Sequence, residues 1–225
     1  MATIADNLQA VKARIARAAQ AAGRDPATVT LLAVSKTHSI ARIEEAQAAG
    51  QRAFGENYVQ DALPKIDALP GLEWHLIGPL QSNKTRVAAE RFDWVQTVDR
   101  KKIADRLSEH RPVHRPALNV LIQVNISAEP TKSGAAPGAI LDLAKAISAL
   151  PRLRLRGLMA IPRPGAVSEF SKLKQLFDEL KGAFAMDTLS MGMSEDFEAA
   201  IAQGSTLVRV GTAIFGLRNL EKPAA

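Results

Sequence analysis

The chain has 225 residues, 47% of them hydrophobic, and a formal net charge of +6 at pH 7. This length and composition are typical of a globular protein of one or two domains. It contains no cysteine, which excludes disulfides, thiolate metal sites and a cysteine nucleophile. No segment approaches the roughly 18 apolar residues that a transmembrane helix needs, and the N-terminal residues lack the apolar run of a signal peptide. We therefore expect a cytoplasmic protein that is not embedded in a membrane.

The positive charge raises the question of nucleic-acid binding. The basic residues are scattered, and the one cluster, PRLRLRG at 151–157, alternates arginine with leucine as the polar approach to a strand does. No aromatic residues interleave with it, and no nucleic-acid-binding motif is present. We therefore expect no nucleic-acid partner, whereas an anionic small molecule would suit the positive balance.

Helix-like and strand-like segments alternate along the chain. Ile4, Leu8, Val11 and Ile15 recur at helical spacing and predict a leading amphipathic helix. The eight strands predicted after it are 29–36, 52–57, 74–80, 94–98, 118–126, 156–161, 187–193 and 206–211. The helices predicted to follow them are 40–50, 58–69, one beginning near Ser82, 99–110, 138–150, 168–184, 195–204 and 212–219.

This alternation is typical of parallel strands joined by right-handed crossovers. Eight such units predict an α/β fold of the (β/α)8 type, a TIM-like barrel with an extra N-terminal helix. An open doubly wound sheet is the competing fold, but the GxGxxG turn typical after its first strand is not found. No Pro- or Gly-rich linker divides the sequence, so we expect residues 1–225 to form one domain.

The first predicted strand, in the segment TVTLLAVSKTHSI, ends in Lys36. Because strand side chains alternate between faces, Lys36 shares a face with Leu32 and Val34. The active face of a (β/α)8 barrel lies at the C-terminal ends of the strands, so Lys36 should project across the barrel mouth from an apolar base. Desolvation lowers the pKa of a lysine and favours Schiff-base chemistry with an aldehyde. The competing interpretation is a lysine that simply lies in solvent.

The last two predicted strands run into residues suited to a phosphate group. One runs into MGMSED (191–196), with Ser194 at a helix start, and the other into RVGTAIFG (209–216). In the second, Gly211 allows a close backbone approach and Thr212 offers a hydroxyl. Phosphate often lies at these two loops in (β/α)8 barrels, although Ser194 alone would serve as an N-cap and Gly211 alone as a turn.

A Schiff-base lysine and a phosphate cradle in one barrel together describe a site for pyridoxal 5′-phosphate (PLP). A class I aldolase would also use such a lysine and would need a carboxylate at a strand end. Glu56 is the candidate carboxylate for that alternative.

Several distinct motifs occur in one order along the chain: LLAVSKTH, FGENYVQDALPK, WHLIGPLQSNK, KSG, RGLMAI, LSMGMSEDFEAAIAQGSTLVRVGTAIFG and LRN. Together they resemble the pyridoxal phosphate homeostasis proteins, single-domain barrels similar to the N-terminal domain of bacterial alanine racemase. The resemblance extends from residue 6 to residue 218, nearly the whole chain.

The resemblance implies a cofactor-binding set made of Lys36, Asn57, His75, Met159, Ser194, Arg209, Gly211 and Thr212. Lys36 would hold PLP as an aldimine, and Arg209 would face the pyridine nitrogen. The phosphate would lie against Ser194, Gly211 and Thr212.

Two members of the set, Asn57 and His75, and one further residue, Lys132, have a second interpretation. Asn57 and His75 are expected to line the pocket, yet Asn57 can equally cap the next helix and His75 can be a hydrogen-bonded core histidine. Met159 is expected to pack on the ring. His38 stands where some relatives carry a second lysine, and Lys132 matches another lysine of the family although an exposed loop lysine is its default interpretation.

An arginine beside the pyridine nitrogen cannot take a proton from the ring, so the ring should be a weak electron sink. Alanine racemase adds a second domain with a tyrosine base, which is not expected here, and the chain has one tyrosine, Tyr58. The resemblance thus implies a PLP-binding protein of intracellular PLP homeostasis or delivery, with no catalytic residue and no metal. Apo PLP-dependent enzymes are the expected recipients, and a monomer is the expected state. A PLP-dependent amino-acid racemase, with a base from a dimer partner, is the alternative.

Overall fold

The computed structural model describes residues 2–129, 132–163 and 165–216. The strands are β1 (Thr30–Val34), β2 (Ala53–Glu56), β3 (Glu73–Leu76), β4 (Trp94–Val98), β5 (Leu118–Gln123), β6 (Leu153–Met159), β7 (Thr188–Met193) and β8 (Leu207–Val210). The helices are α1 (Ile4–Ala21), α2 (Ile40–Ala48), α3 (Val59–Ala68), α4 (Thr85–Arg91), α5 (Lys101–His110), α6 (Ile140–Ser148), α7 (Val167–Phe184), α8 (Phe197–Ala202) and α9 (Thr212–Phe215).

The strands form a closed parallel barrel. They pair in sequence order from β1 to β8, and β8 pairs with β1, where Leu32 lies opposite Arg209. The predicted TIM-like (β/α)8 barrel is therefore confirmed. Closure leaves no unpaired sheet edge and directs the C-terminal end of every strand to the same mouth.

The predicted strands differ from the observed ones mainly at their C-terminal ends. β3 ends at Leu76 and β5 at Gln123, whereas the sequence pattern continued to residues 80 and 126. Pro79 has no N–H for a ladder, which limits β3. The last helix also ends early, at Phe215, before Gly216 with a φ of 80°, and residues 217–219 of its predicted span, the LRN motif, lie outside the described residues.

The predicted N-terminal helix is part of the barrel's outer layer. Its apolar stripe, Ile4, Leu8, Val11, Ile15 and Ala19, is buried against α2, α8 and α9. At its start Thr3 and Asp6 form a capping box, in which the Thr3 hydroxyl accepts from the Asp6 amide and the Asp6 carboxylate accepts from the Thr3 amide. This helix closes the helical ring around the strand pair β8–β1.

Two smaller apolar clusters fill the barrel interior. One consists of Leu32, Val34, Ala53, Ile77 and Leu207, and the other of Trp94, Leu121 and Met159. Leu32 and Val34 of β1 thus point into the barrel. Strand alternation predicted that these two residues share a face with Lys36. Other inward-facing positions carry the buried polar side chains of His75, Gln96, Ser190 and Arg209.

Candidate functional site

A cavity of about 370 Å³ opens at the C-terminal ends of the strands. This volume is within the range of small-molecule sites. Its walls are formed by Val34, Lys36, Asn57, Ile77, Gly78, Pro79, Ile161, Met193, Ser194, Glu195, Asp196, Arg209, Gly211 and Thr212. Six of the eight residues predicted to bind a cofactor are therefore brought together: Lys36, Asn57, Ser194, Arg209, Gly211 and Thr212.

His75 and Met159 lie deeper in the barrel than the sequence predicted. Neither belongs to the described cavity wall, and both are almost fully buried. Each stands two residues before a wall residue, His75 before Ile77 and Met159 before Ile161, so each occupies the next layer down on the same face. His75 is hydrogen-bonded and stacked on Trp94, which agrees with the core-histidine interpretation.

Lys36 is partly buried and stands on the cavity wall two residues after the end of β1. The next residue, Thr37, has a φ of 67°, a left-handed conformation that β-branched residues rarely adopt. β1 itself ends at Val34, two residues earlier than the sequence predicted, and this turn leads from Lys36 into α2. His38 then packs its ring on Phe215 of α9, with ring centroids 4.8 Å apart. The structure therefore favours the barrel-mouth position over a lysine in open solvent.

A buried ion pair supports the strand end that carries Lys36. The ammonium of Lys65 lies 2.7 Å from Oε1 of Glu56 and donates to the backbone carbonyl of Ser35 at 2.9 Å. The Ser35 hydroxyl donates to the same Glu56 oxygen at 2.6 Å. Glu56 is fully buried, and burial raises its pKa, an effect that the Lys65 ammonium partly offsets. Because its carboxylate is held by Ser35 and α3 and is absent from the described cavity wall, Glu56 is not placed to serve an aldolase.

Arg209 brings a buried cation to the cavity wall. Its guanidinium donates to the Ser190 hydroxyl at 2.7 Å and to the Ala160 carbonyl at 2.9 Å, both of them neutral acceptors. Burial lowers the pKa of Arg209 to about 10, so the group is still charged at neutral pH. A desolvated cation with neutral partners favours an electron-rich ligand atom beside it.

The loops after β7 and β8 meet at Ser194 and Gly211. The Gly211 amide donates to the Ser194 hydroxyl across 3.4 Å. A Cβ on Gly211 would lie 3.1 Å from the Val34 carbonyl oxygen, so a larger residue would crowd β1. Thr212 begins α9, and the first N–H groups of a helix have no partner within it. These donors converge on one side of the cavity.

The alternative capping roles are not observed for Ser194 or Asn57. The N-cap of α8 is Asp196, and that of α3 is Tyr58. Asn57 instead lies on the cavity wall, and its contact with a cofactor stays a prediction.

Lys132 lies in a smaller cavity of about 160 Å³ beside the first one. The two cavities share Ile77, Pro79 and Ile161. The Lys132 ammonium is 3.3 Å from a Glu129 carboxylate oxygen, and its side chain is 30% exposed. It is therefore a tethered residue at the margin of the main site, in contrast to the default expectation of an exposed loop lysine.

One part of the wall, made by the segment after β3, was not predicted from the sequence. Ile77, Gly78 and Pro79 lie there, and Gly78 passes so close to β2 that a Cβ would fall 2.0 Å from the Asn57 carbonyl oxygen. The glycine–proline pair within WHLIGPLQ was the available signal, since it is typical of a close turn.

Two further classes of site are absent from the described ranges. No helix found there combines the length and apolarity needed to cross a membrane. In the same ranges, no three His, Cys, Asp or Glu side chains are grouped in a way that could hold a metal ion.

Residues 7–219 match the family model of the N-terminal domain of alanine racemase. The chain belongs to this family. A pyridoxal phosphate homeostasis protein of Pseudomonas aeruginosa is 58% identical over 100% of both chains. One of Escherichia coli is 54% identical, over 99% of this chain and all of the relative. The resemblance stated from the sequence motifs is confirmed.

Solved structures of similar proteins agree with this assignment. PipY of Synechococcus elongatus with PLP bound is 37% identical, with a TM-score of 0.81 over 95% of this chain and 100% of the PipY chain. Alanine racemase of Corynebacterium glutamicum is 19% identical with a TM-score of 0.69, over 96% of this chain and 63% of the racemase, and so shares the fold alone.

Proposed function

We propose that this protein binds PLP in the 370 Å³ cavity, with Lys36 attached to it as a Schiff base, and acts in intracellular PLP homeostasis. One observation carries the proposal: a lysine, a buried arginine and a cluster of hydroxyl and amide donors line the same cavity at the mouth of the barrel. The names of the relatives and the PLP-bound structure of PipY support it.

The donors of the cavity match the functional groups of PLP. PLP supplies an aldehyde that condenses with an amine with loss of water, and Lys36 is the lysine on the main cavity wall. The guanidinium of Arg209 is a donor for the ring nitrogen. The phosphate suits Ser194, Gly211 and Thr212, because hydroxyl and backbone N–H groups are good phosphate donors.

The same residues support holding the cofactor rather than turning over a substrate. Arg209 cannot accept a proton from the ring nitrogen, which leaves the ring a weak electron sink. Tyr58 is 63% exposed and does not belong to the described cavity wall, so it is not placed as a second base. Release of the opposite enantiomer from an L-amino acid by the purified protein would instead support the racemase alternative. Delivery of PLP to apo enzymes and a monomeric state stay predictions.

The proposal is tested by absorbance spectroscopy of the protein mixed with PLP. We expect a visible absorption band from a protein-bound Schiff base that borohydride converts into a stable covalent adduct, since reduction turns the C=N bond into an amine. Peptide mapping of the adduct should find the label on the peptide that contains Lys36. A protein that gives neither the band nor a labelled peptide would refute the proposal.

Replacement of Thr212 by alanine should weaken PLP binding about 10-fold or more, since a hydrogen bond to a charged group contributes about 1.5–3 kcal/mol. Pyridoxal, which lacks the phosphate, should lose much less affinity. Fluorescence titrations with both ligands measure the difference. Thr30→Ala is the matched control. Thr30 is the first residue of β1 and does not belong to the described cavity wall, so both affinities should stay unchanged. Equal losses for PLP and pyridoxal in Thr212→Ala would place the phosphate elsewhere.

A further inference from the structure

A line of polar side chains crosses the interior of the barrel from the cavity to the opposite mouth. We call it the polar chain, and it consists of Arg209, Ser190, Gln96, His75 and Glu73. Its four hydrogen bonds are Arg209 Nη1–Ser190 Oγ at 2.7 Å, Ser190 Oγ–Gln96 Oε1 at 2.7 Å, Gln96 Nε2–His75 Nδ1 at 2.9 Å and His75 Nε2–Glu73 Oε1 at 2.8 Å. The first four residues are buried, and the Glu73 side chain is 47% exposed where β3 begins.

Every hydrogen bond of the polar chain points in the same direction. An arginine can only donate, so the Ser190 hydroxyl accepts from Arg209 and gives its own proton to the Gln96 carbonyl oxygen. The Gln96 amide nitrogen then donates to Nδ1 of His75. Nδ1 is therefore unprotonated, and Nε2 carries the proton that His75 donates to Glu73. Reversing the Gln96 amide would direct two donors at Ser190 and leave the Ser190 proton without its acceptor.

The two ends of the polar chain are charged and the middle is neutral. Burial lowers the pKa of His75, which keeps its imidazole neutral. The hydrogen bond from His75 lowers the pKa of Glu73, which keeps that carboxylate ionised. Trp94 stacks on the imidazole with the ring planes 8° apart and so fixes the plane of His75. The cation in the cavity wall is thus connected to an anion through three oriented neutral groups.

We propose that Ser190, Gln96 and His75 are positioning residues, which hold the Arg209 guanidinium in one orientation as the donor to the ring nitrogen of the bound cofactor. This inference rests on the proposed function and adds residues that do not touch the cofactor themselves. Ser190 fixes one Nη atom of Arg209 and the Ala160 carbonyl fixes the other, so the plane of the guanidinium is defined from beneath. Gln96 and His75 in turn fix the direction in which the Ser190 hydroxyl points.

The proposal makes a prediction for the cofactor-free protein. In 15N NMR spectra of histidine-labelled protein, His75 should be the neutral tautomer with the proton on Nε2. Gln96→Glu keeps the acceptor for Ser190 but sets a carboxylate oxygen against Nδ1 of His75, so His75 should take up a second proton at Nδ1 while Nε2 keeps its proton to Glu73. Gln51→Glu, at another buried glutamine outside the polar chain, should leave His75 unchanged. A wild-type His75 protonated on Nδ1 would overturn the proposed direction of the chain.

The effect on the cofactor is tested with Ser190→Ala, a small change that removes the acceptor of Arg209. We expect affinities for PLP and pyridoxal to fall by the same factor, about 10-fold, because the ring nitrogen is common to both. We also expect the 15N resonance of the ring nitrogen in labelled PLP to shift relative to the wild-type complex. A merely structural role for Ser190 would not move that resonance.

The outcomes separate this inference from the proposed function. A wild-type protein that binds no PLP would refute the proposed function. A wild-type protein that binds PLP while Ser190→Ala and Gln96→Glu leave both affinities and the ring-nitrogen resonance unchanged would refute the positioning role alone.

Discussion

Lys36→Ala is expected to bind PLP about 100-fold more weakly than the wild-type protein or worse, a loss of at least about 2.7 kcal/mol. The variant keeps Arg209, Ser194 and Thr212 and so keeps the proposed contacts to the ring and phosphate, but it cannot form the covalent bond that only an amine provides. Titration of the visible band measures the affinity. Treatment with borohydride should leave the variant without a stable adduct.

Lys101→Ala is the matched control for this experiment. Lys101 lies on α5, is 65% exposed, pairs with Asp105 and does not belong to the described cavity wall. Its removal should change neither the affinity nor the yield of the adduct. If Lys36→Ala retained full PLP occupancy, or if borohydride labelled another lysine of the wild-type protein, the assignment of Lys36 would be wrong even though PLP were bound.

The barrel could be predicted because its signals are local. Each strand is a short apolar run, and each helix has its own periodicity and start, so the alternation of eight units is visible without any long-range contact. The C-terminal ends of β3 and β5 were less predictable. Apolar residues continue beyond both strands, and only the closed barrel shows that β3 ends at Leu76 and β5 at Gln123.

Part of the grouping of the site followed from one geometric rule. Parallel strands of a barrel end at the same mouth, so Lys36 and the loops after β7 and β8 were expected together. The resemblance added Asn57 and Arg209, and all of these residues line the same cavity. The depth to which the cavity reaches along a strand does not follow from this rule. His75 and Ile77 share a face of β3, and the sequence does not show which of the two layers the cavity reaches.

The support beneath Lys36 was not predictable from the sequence. Adjacent strand residues face opposite sides, so Asn57 in the cavity implies Glu56 on the helix side. The partner of Glu56 is Lys65, nine positions later on α3, and this contact depends on how α3 packs against the barrel. The polar chain could not be predicted for the same reason, because Ser190 and Gln96 are 94 residues apart in sequence and meet only in the folded barrel.

Lys65→Met is expected to lower the free energy of unfolding by about 3–5 kcal/mol, because it leaves the buried Glu56 carboxylate without its cation. Lys101→Met is the matched control. The Lys101–Asp105 pair has the same N–O distance of 2.7 Å, but its side chains are 65% and 41% exposed, so its loss should cost less than about 1 kcal/mol. Urea unfolding followed by circular dichroism measures both variants.

The pH dependence of the Lys65→Met variant distinguishes lost charge pairing from lost packing. Burial raises the pKa of Glu56 above its ordinary value of 4.5 in the folded protein, and removal of the Lys65 ammonium should raise it further. The ionised carboxylate therefore opposes folding at neutral pH, and that penalty disappears as the pH falls through the raised folded pKa toward 4.5. The stability gap between the variant and the wild-type protein should narrow over that range, whereas a gap independent of pH would mean that Lys65 acts through its aliphatic packing. Lys65 also donates to the backbone carbonyl of Ser35, the residue before Lys36. Because methionine cannot donate this hydrogen bond, the variant should lose PLP affinity as well.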